Sequence, residues 1–147
     1  MNLSNHFTLA ELTKTELRKF DNTPPSGVIP NIKRMAEKLE RVRELLGGKP
    51  IVVNSCYRSK EVNKAVGSKE TSKHREGLAA DFICPQYGNP LAICDRIEKS
   101  DLQYDQLILE FFNPATGAGW VHLGLGAKMR RQTLTINQHG TFAGIHP

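Results

Sequence analysis

The chain has 147 residues, enough for one domain with its own core and short for two. Hydrophobic residues make up 39% and charged residues 24%, which fits a folded globular chain and argues against disorder. No stretch approaches the roughly 18 apolar residues that mark a bilayer span, so membrane insertion is not expected.

The net charge of +5 favours anionic partners such as an acidic envelope surface. Specific nucleic-acid binding is not expected, because no basic run is interleaved with aromatics. The three cysteines, Cys56, Cys84 and Cys94, form no CxxC pair. They are expected to be reduced, buried residues rather than a disulfide framework or a cysteine zinc knuckle. Met1 to Ala10 is polar and lacks the apolar core of a signal peptide, so synthesis in the cytoplasm is expected.

The first predicted element is a helix from Thr8 to about Lys19. Thr8 and Glu11 are spaced as a capping box, with Phe7 and Leu12 as the flanking hydrophobic staple. It ends before the loop Asp21-Asn22-Thr23-Pro24-Pro25-Ser26-Gly27. A second helix is predicted after Pro30 with Asn31 as N-cap. Ile32, Met35, Ala36, Leu39, Val42, Leu45 and Leu46 form its apolar stripe, and Gly47-Gly48 end it. Ile51 to Ser55 is β-branched and reads as a buried strand. Tyr57 to Thr71 is polar and reads as a loop with one helical turn near Glu61 to Val66. A strand follows at Leu78 to Ile83, then a short helix from Pro90 to Lys99. Strands are predicted at Gln106 to Phe112, Trp120 to Leu125 and Gln132 to Asn137, with an irregular tail from Gln138 to Pro147. Helices first, then strands broken by one helix, predict a compact α+β domain over residues 1–147. Its core lies at about 7–137, around a central, mostly antiparallel sheet.

One segment concentrates chemistry: Ser72-Lys73-His74-Arg75-Glu76-Gly77-Leu78-Ala79-Ala80-Asp81-Phe82. A turn at Gly77 would bring His74 beside the strand carrying Asp81, so that an imidazole and a carboxylate reach one ion. That mixed donor set suits zinc. Trp120-Val121-His122-Leu123-Gly124 offers a third donor. Period-two alternation puts Trp120, His122 and Gly124 on one face, with Gly124 leaving room beside His122 and Trp120 walling the site. Three protein ligands with one open position characterise catalytic zinc. His6, His139 and His146 lie outside this constellation and are read as ordinary polar residues.

These residues resemble a known family. Ser72-x-His74, Gly77, Ala79-Ala80-Asp81 and Trp120-Val121-His122 look like the zinc site of the bacterial and phage D-alanyl-D-alanine carboxypeptidases and L-alanyl-D-glutamate endopeptidases. The hedgehog signalling domain is similar to these in fold. Asn22-Thr23-Pro24-Pro25, Ser55-Cys56-Tyr57-Arg58-Ser59, Val62-Asn63 and Val66-Gly67 are similar to the family's substrate-loop region, and Gln106-Leu107-Ile108-x-Glu110-Phe111 to its active-site strand. The resemblance runs from Phe7 to about Leu125.

It implies one Zn2+ per chain on His74, Asp81 and His122, and a monomeric enzyme that cuts an amide of the peptidoglycan stem peptide. Arg58 would approach the substrate carbonyl, and Ser72 would bond substrate or the metal's surroundings. Many members place a glutamate three residues before the last histidine. Here that residue is Gly119, so Glu110 is the expected general base. Cys56 stands where the family usually has glycine. The absence of a signal peptide or wall-binding domain suits a phage or prophage lysis enzyme that reaches the wall through a membrane pore. The alternative is a non-catalytic zinc-binding module of a cell wall or virion. Glu110 separates the two readings, because a structural module has no use for an acid beside the metal.

Overall fold

The computed structural model describes residues 1–147 as a six-stranded mixed sheet with helices packed on one face. The elements in chain order are α1 (Leu9–Leu12), α2 (Ile29–Leu45), β1 (Val52–Ser55), α3 (Lys60–Ala65), β2 (Ala79–Ile83), α4 (Pro90–Glu98), β3 (Gln106–Asn113), β4 (Ala118–Gly124), β5 (Gln132–Asn137) and β6 (Gly140–Ala143). The sheet order is β1-β2-β4-β3-β5-β6. β3 and β5 run parallel and every other neighbouring pair is antiparallel.

Alternation along the strands divides the sheet into two unlike faces. Phe82, Leu107, Leu109, Val121 and Leu123 point to one side and are fully buried. They pack with the α2 stripe of Ile32, Met35, Ala36, Leu39 and Val42 and with Ile93, Cys94 and Ile97 of α4. All three cysteines are free and buried, in keeping with their expected core role. The register places Asp81 opposite His122 and His122 opposite Ile108, so the other face carries these residues side by side. No helix is long and apolar enough to cross a membrane.

Several sequence expectations change. α1 keeps its capping box, with the Thr8 hydroxyl accepting from Glu11 N–H, but it stops at Leu12 and not near Lys19. The Asn22 amide donates to the Thr13 carbonyl at 2.7 Å, capturing an acceptor that a continuing helix would use. α2 starts at Ile29, and Asn31 is not its N-cap. Pro30 sits in the first turn, where its missing N–H costs no helical bond. The Asn31 side chain donates instead to the Glu76 carbonyl, tying α2 to the segment that bears His74.

The tail is not wholly irregular. β6 returns along β5 through a two-residue turn, with Asn137 opposite Gly140 and the Asn137 side chain accepting from His139 N–H. Gln138-His139 lacks the usual hairpin-turn residues, so Gly140, at φ +127°, was the one available sign.

Gly77 realises the expected reversal at φ +72°, and Leu78 N–H donates to the Lys73 carbonyl across the turn. A Cβ on Gly77 would lie 2.6 Å from the Ile32 side chain in the core. Gly47 has the same φ of +72° but has open space around it. Gly47→Ala is therefore expected to cost about 1 kcal/mol, the left-handed backbone penalty alone. Gly77→Ala adds overpacking and should cost about 2–4 kcal/mol. Urea denaturation of the two variants measures the difference; equal losses would remove the steric part of the argument.

Candidate metal centre

Two strands and two connecting segments converge on one carboxylate. Asp81 on β2 is buried, with Oδ2 3.2 Å from His74 Nε2 and Oδ1 2.9 Å from His122 Nδ1. The two imidazoles meet edge-on, ring centroids 5.2 Å apart. His74 sits on a 3₁₀ turn over Lys73–Glu76, and its own N–H is capped by the Ser72 hydroxyl. Its Nδ1 lies 2.6 Å from the Cys56 carbonyl, which can only accept, so Nδ1 carries the proton. The neutral ring then offers its Nε2 lone pair to a metal, while the protonated ring donates from Nε2 to Asp81 at 3.2 Å. The bond to Cys56 is the outer hydrogen bond that commonly orients a metal-binding histidine. Gly124 lies beside His122, but a Cβ there would make only ordinary contact with His122 Nε2 at 3.5 Å, so the expected need for room is not borne out.

The donor set fits zinc. One candidate atom from each of His74, Asp81 and His122 lies within 4.8 Å of the others. Bonds near 2.0–2.1 Å in a tetrahedron place neighbouring ligand atoms roughly 3.3 Å apart, close to the 3.2 Å between His74 Nε2 and Asp81 Oδ2, while His122 Nδ1 approaches the other carboxylate oxygen. Two imidazoles and one carboxylate leave a fourth position free toward the cleft.

Arg58 bridges the centre to its rim. Its Nη2 donates to Asp81 Oδ2 at 3.4 Å and its Nε to Ser55 Oγ at 3.1 Å, while Nη1 reaches Asn63 Oδ1 at 3.5 Å. Arg58 N–H also donates to the His74 carbonyl. Cys56 takes no left-handed backbone, so its presence in place of glycine adds no strain to this loop. Ser55 and the buried Asn63 are supports that sequence reasoning did not single out for Arg58.

Glu110 lies on β3 with Oε1 3.6 Å from His122 Nδ1 and 3.3 Å from the donating Trp120 Nε1. It faces away from the buried Leu109. It does not face away from Phe111, because a bulge interrupts β3 between Glu110 and Asn113 and Phe111 adopts φ +52°. Glu110 and Phe111 consequently line the same cleft. Gly119 opposes the bulge at φ +110°, and a Cβ there would stand 2.7 Å from the Glu110 carbonyl oxygen and 2.8 Å from Phe112 Cα. No acidic side chain could occupy that position in this backbone.

The electrostatics follow from burial and neighbours. Burial opposes ionisation of Asp81, but the charges and hydrogen bonds of His74 and His122 outweigh it and hold the carboxyl below its ordinary range. Burial lowers the basicity of His74. It also opposes charging of His122, where Asp81 and Glu110 prevail and raise the value. Glu110 is pushed up by burial and then by the Asp81 charge. The cleft has a volume of about 850 Å³ and also takes in Ser72, Lys69, Lys73, Ile108 and Ile136. Thus all seven candidate site residues, Arg58, Ser72, His74, Asp81, Glu110, Trp120 and His122, line one cleft.

Comparison with known proteins agrees in kind. A model of the family described as peptidase M15 matches residues 5–113, a segment that includes Arg58, His74, Asp81 and Glu110 and ends before β4 and His122. The zinc D-Ala-D-Ala carboxypeptidase of Streptomyces albus G is 44% identical over 45 residues, covering 31% of this chain. The aligned stretch spans only 18% of that relative's length.

Zinc should be retained by the purified parent and lost from the His74→Ala/His122→Ala double variant, as read by elemental analysis. Added zinc at a hundred times its dissociation constant should stabilise the parent by about 2.7 kcal/mol. An equal stabilisation of the double variant would place the ion elsewhere.

Proposed function

This chain belongs to the peptidase M15 family, and we propose that it is a zinc peptidase hydrolysing an amide of peptidoglycan stem peptides. The observation that carries this reading is the proximity of Glu110 to the His74–Asp81–His122 cluster, inside a cleft large enough for a peptide. The likeness to the zinc D-Ala-D-Ala carboxypeptidase of Streptomyces albus G supports the substrate class. D-Ala-D-Ala and L-Ala-D-Glu bonds are both amides beside a carboxylate, and both suit the open cleft. A net charge of +5 suits work against an anionic envelope, and a small basic enzyme of this kind suits a phage or prophage lysis role.

A zinc ion held by His74, Asp81 and His122 would supply Lewis acidity for the scissile carbonyl and lower the pKa of the attacking water. The protein groups carry the proton and the charge. Glu110 Oε1 accepts a proton from water as its oxygen bonds to the carbonyl carbon. It returns that proton to the nitrogen as the carbon–nitrogen bond breaks. Trp120 holds this carboxylate from the side. Arg58, fixed by Ser55, Asn63 and Asp81, presents a guanidinium to the developing oxyanion. Ser72 reaches the substrate from the rim.

Glu110→Gln keeps shape and removes the proton acceptor. It should fold and hold zinc like the parent, yet release fragments or alanine from purified peptidoglycan about 10²–10⁴-fold more slowly. Full activity in this variant would move the base elsewhere. A parent that cuts neither linkage in the presence of zinc would favour the non-catalytic module.

Arg58→Ala should lower kcat/KM by about 10²-fold or more, and Arg58→Lys should recover little, lacking the planar fork. Unchanged kinetics in Arg58→Ala would remove it from the oxyanion role. Mass spectrometry of the digest identifies which bond is cut.

A further inference from the structure

Only Phe111 and Arg131 among non-glycine residues take positive φ. Phe111 is the more demanding case, a bulky residue at φ +52° that remains 45% exposed. An aromatic residue held in the left-handed region costs energy, and such strain persists where the surroundings over-determine it, often at functional sites. The surroundings here are specific. The bulge turns Phe111 onto the cleft side, where its ring lies against Trp120 with centroids 5.5 Å apart and planes inclined by 32°. Trp120 Nε1 in turn donates to Glu110 Oε1 at 3.3 Å. Opposite the bulge, Gly119 is the residue whose missing Cβ leaves room for the Glu110 and Phe111 carbonyls.

The geometry points to Phe111 and Trp120 as positioning residues for Glu110, held in place by a strained bulge that only a glycine at position 119 permits. This inference rests on the reading of Glu110 as the acid–base group. In a regular strand Phe111 would point to the opposite face, beside the buried Leu109 side, and Trp120 would lose its stacking partner. The indole would then be free to rotate, and Glu110 would keep no neutral donor beside His122. The glycine at position 119 and the acid on the neighbouring strand thus belong to one arrangement. The chain uses Gly119 to admit the bulge, Phe111 to fix the indole, and the indole N–H to fix the carboxylate.

A role in positioning separates from a role in stability because the two predict opposite changes in Phe111→Gly. Glycine relieves the left-handed strain, so the melting temperature should stay level or rise, while kcat should fall about tenfold or more and zinc content should not change. Phe111→Tyr keeps the ring and should keep the parental kcat. In a Glu110→Gln background Phe111→Gly should cause no further loss, since it acts through Glu110.

Trp120 is the single tryptophan, so its indole N–H resonance reports the contact without any assay of cleavage. That resonance should move in both Glu110→Gln and Phe111→Gly. A Phe111→Gly enzyme with parental kcat, or one whose activity falls only in step with its folded fraction, would overturn the proposal. An unmoved indole resonance in both variants would also overturn it. A parent without peptidase activity but with the expected resonance shifts would sink the assigned chemistry and leave the positioning contact standing.

Discussion

The carboxylate of Asp81 is the interaction on which this structure turns. It is buried on a central strand, and a buried charge is tolerated only when its neighbours neutralise and hydrogen-bond it. His74, His122 and Arg58 do so from three separate segments of the chain. Each is itself secured by backbone. His74 Nδ1 is bound to the Cys56 carbonyl, Arg58 N–H to the His74 carbonyl, and His122 lies in register between Asp81 and Ile108. The loop carrying Cys56 and Arg58 therefore cannot shift without disturbing the ring opposite it. Removing one cationic partner of such a carboxylate leaves charge uncompensated, at a cost of about 3–5 kcal/mol.

The two faces of the sheet divide the labour. One is closed by α2 and α4 with largely aliphatic packing. That closed face makes the strands rigid, which matters because the open face must hold ligands to within a fraction of an ångström. The ties between layers run at the ends: Asn31 of α2 reaches the turn bearing His74, and Gly77 passes against Ile32 of α2. The core helix thereby fixes the height of the first histidine above the sheet.

The bulge in β3 shows how a local departure from regular geometry redistributes function. Two residues, Glu110 and Phe111, are delivered to one face where alternation would deliver one. The same distortion closes the space at Gly119 to any side chain. An acid at one position and a bulge at the other are mutually exclusive in this backbone.

Much of this was legible in the residues. The α2 stripe, the Gly77 reversal and the face shared by Trp120, His122 and Gly124 follow from local spacing and periodicity, because each depends on neighbours within a single turn, helix or strand; the metal-donor trio, with His122 lying 41 residues beyond Asp81, was joined by its resemblance to a known family. What the sequence could not decide depended on contacts between distant segments. α1 stops at Leu12 because Asn22 takes the Thr13 carbonyl, a contact nine residues away that propensity does not register. The tail closes as β6 because β5 offers it an edge, and β5 runs parallel to β3 because of how the chain returns after β4. Alternation failed at Phe111 since a bulge belongs to a pair of strands, and its cause, Gly119, lies on the partner strand. By itself the sequence determined which residues could bind a metal and which faces they would share. The tertiary structure decided which atoms face one another, because hydrogen-bond direction, register and strain are set only when segments far apart in the chain are packed together.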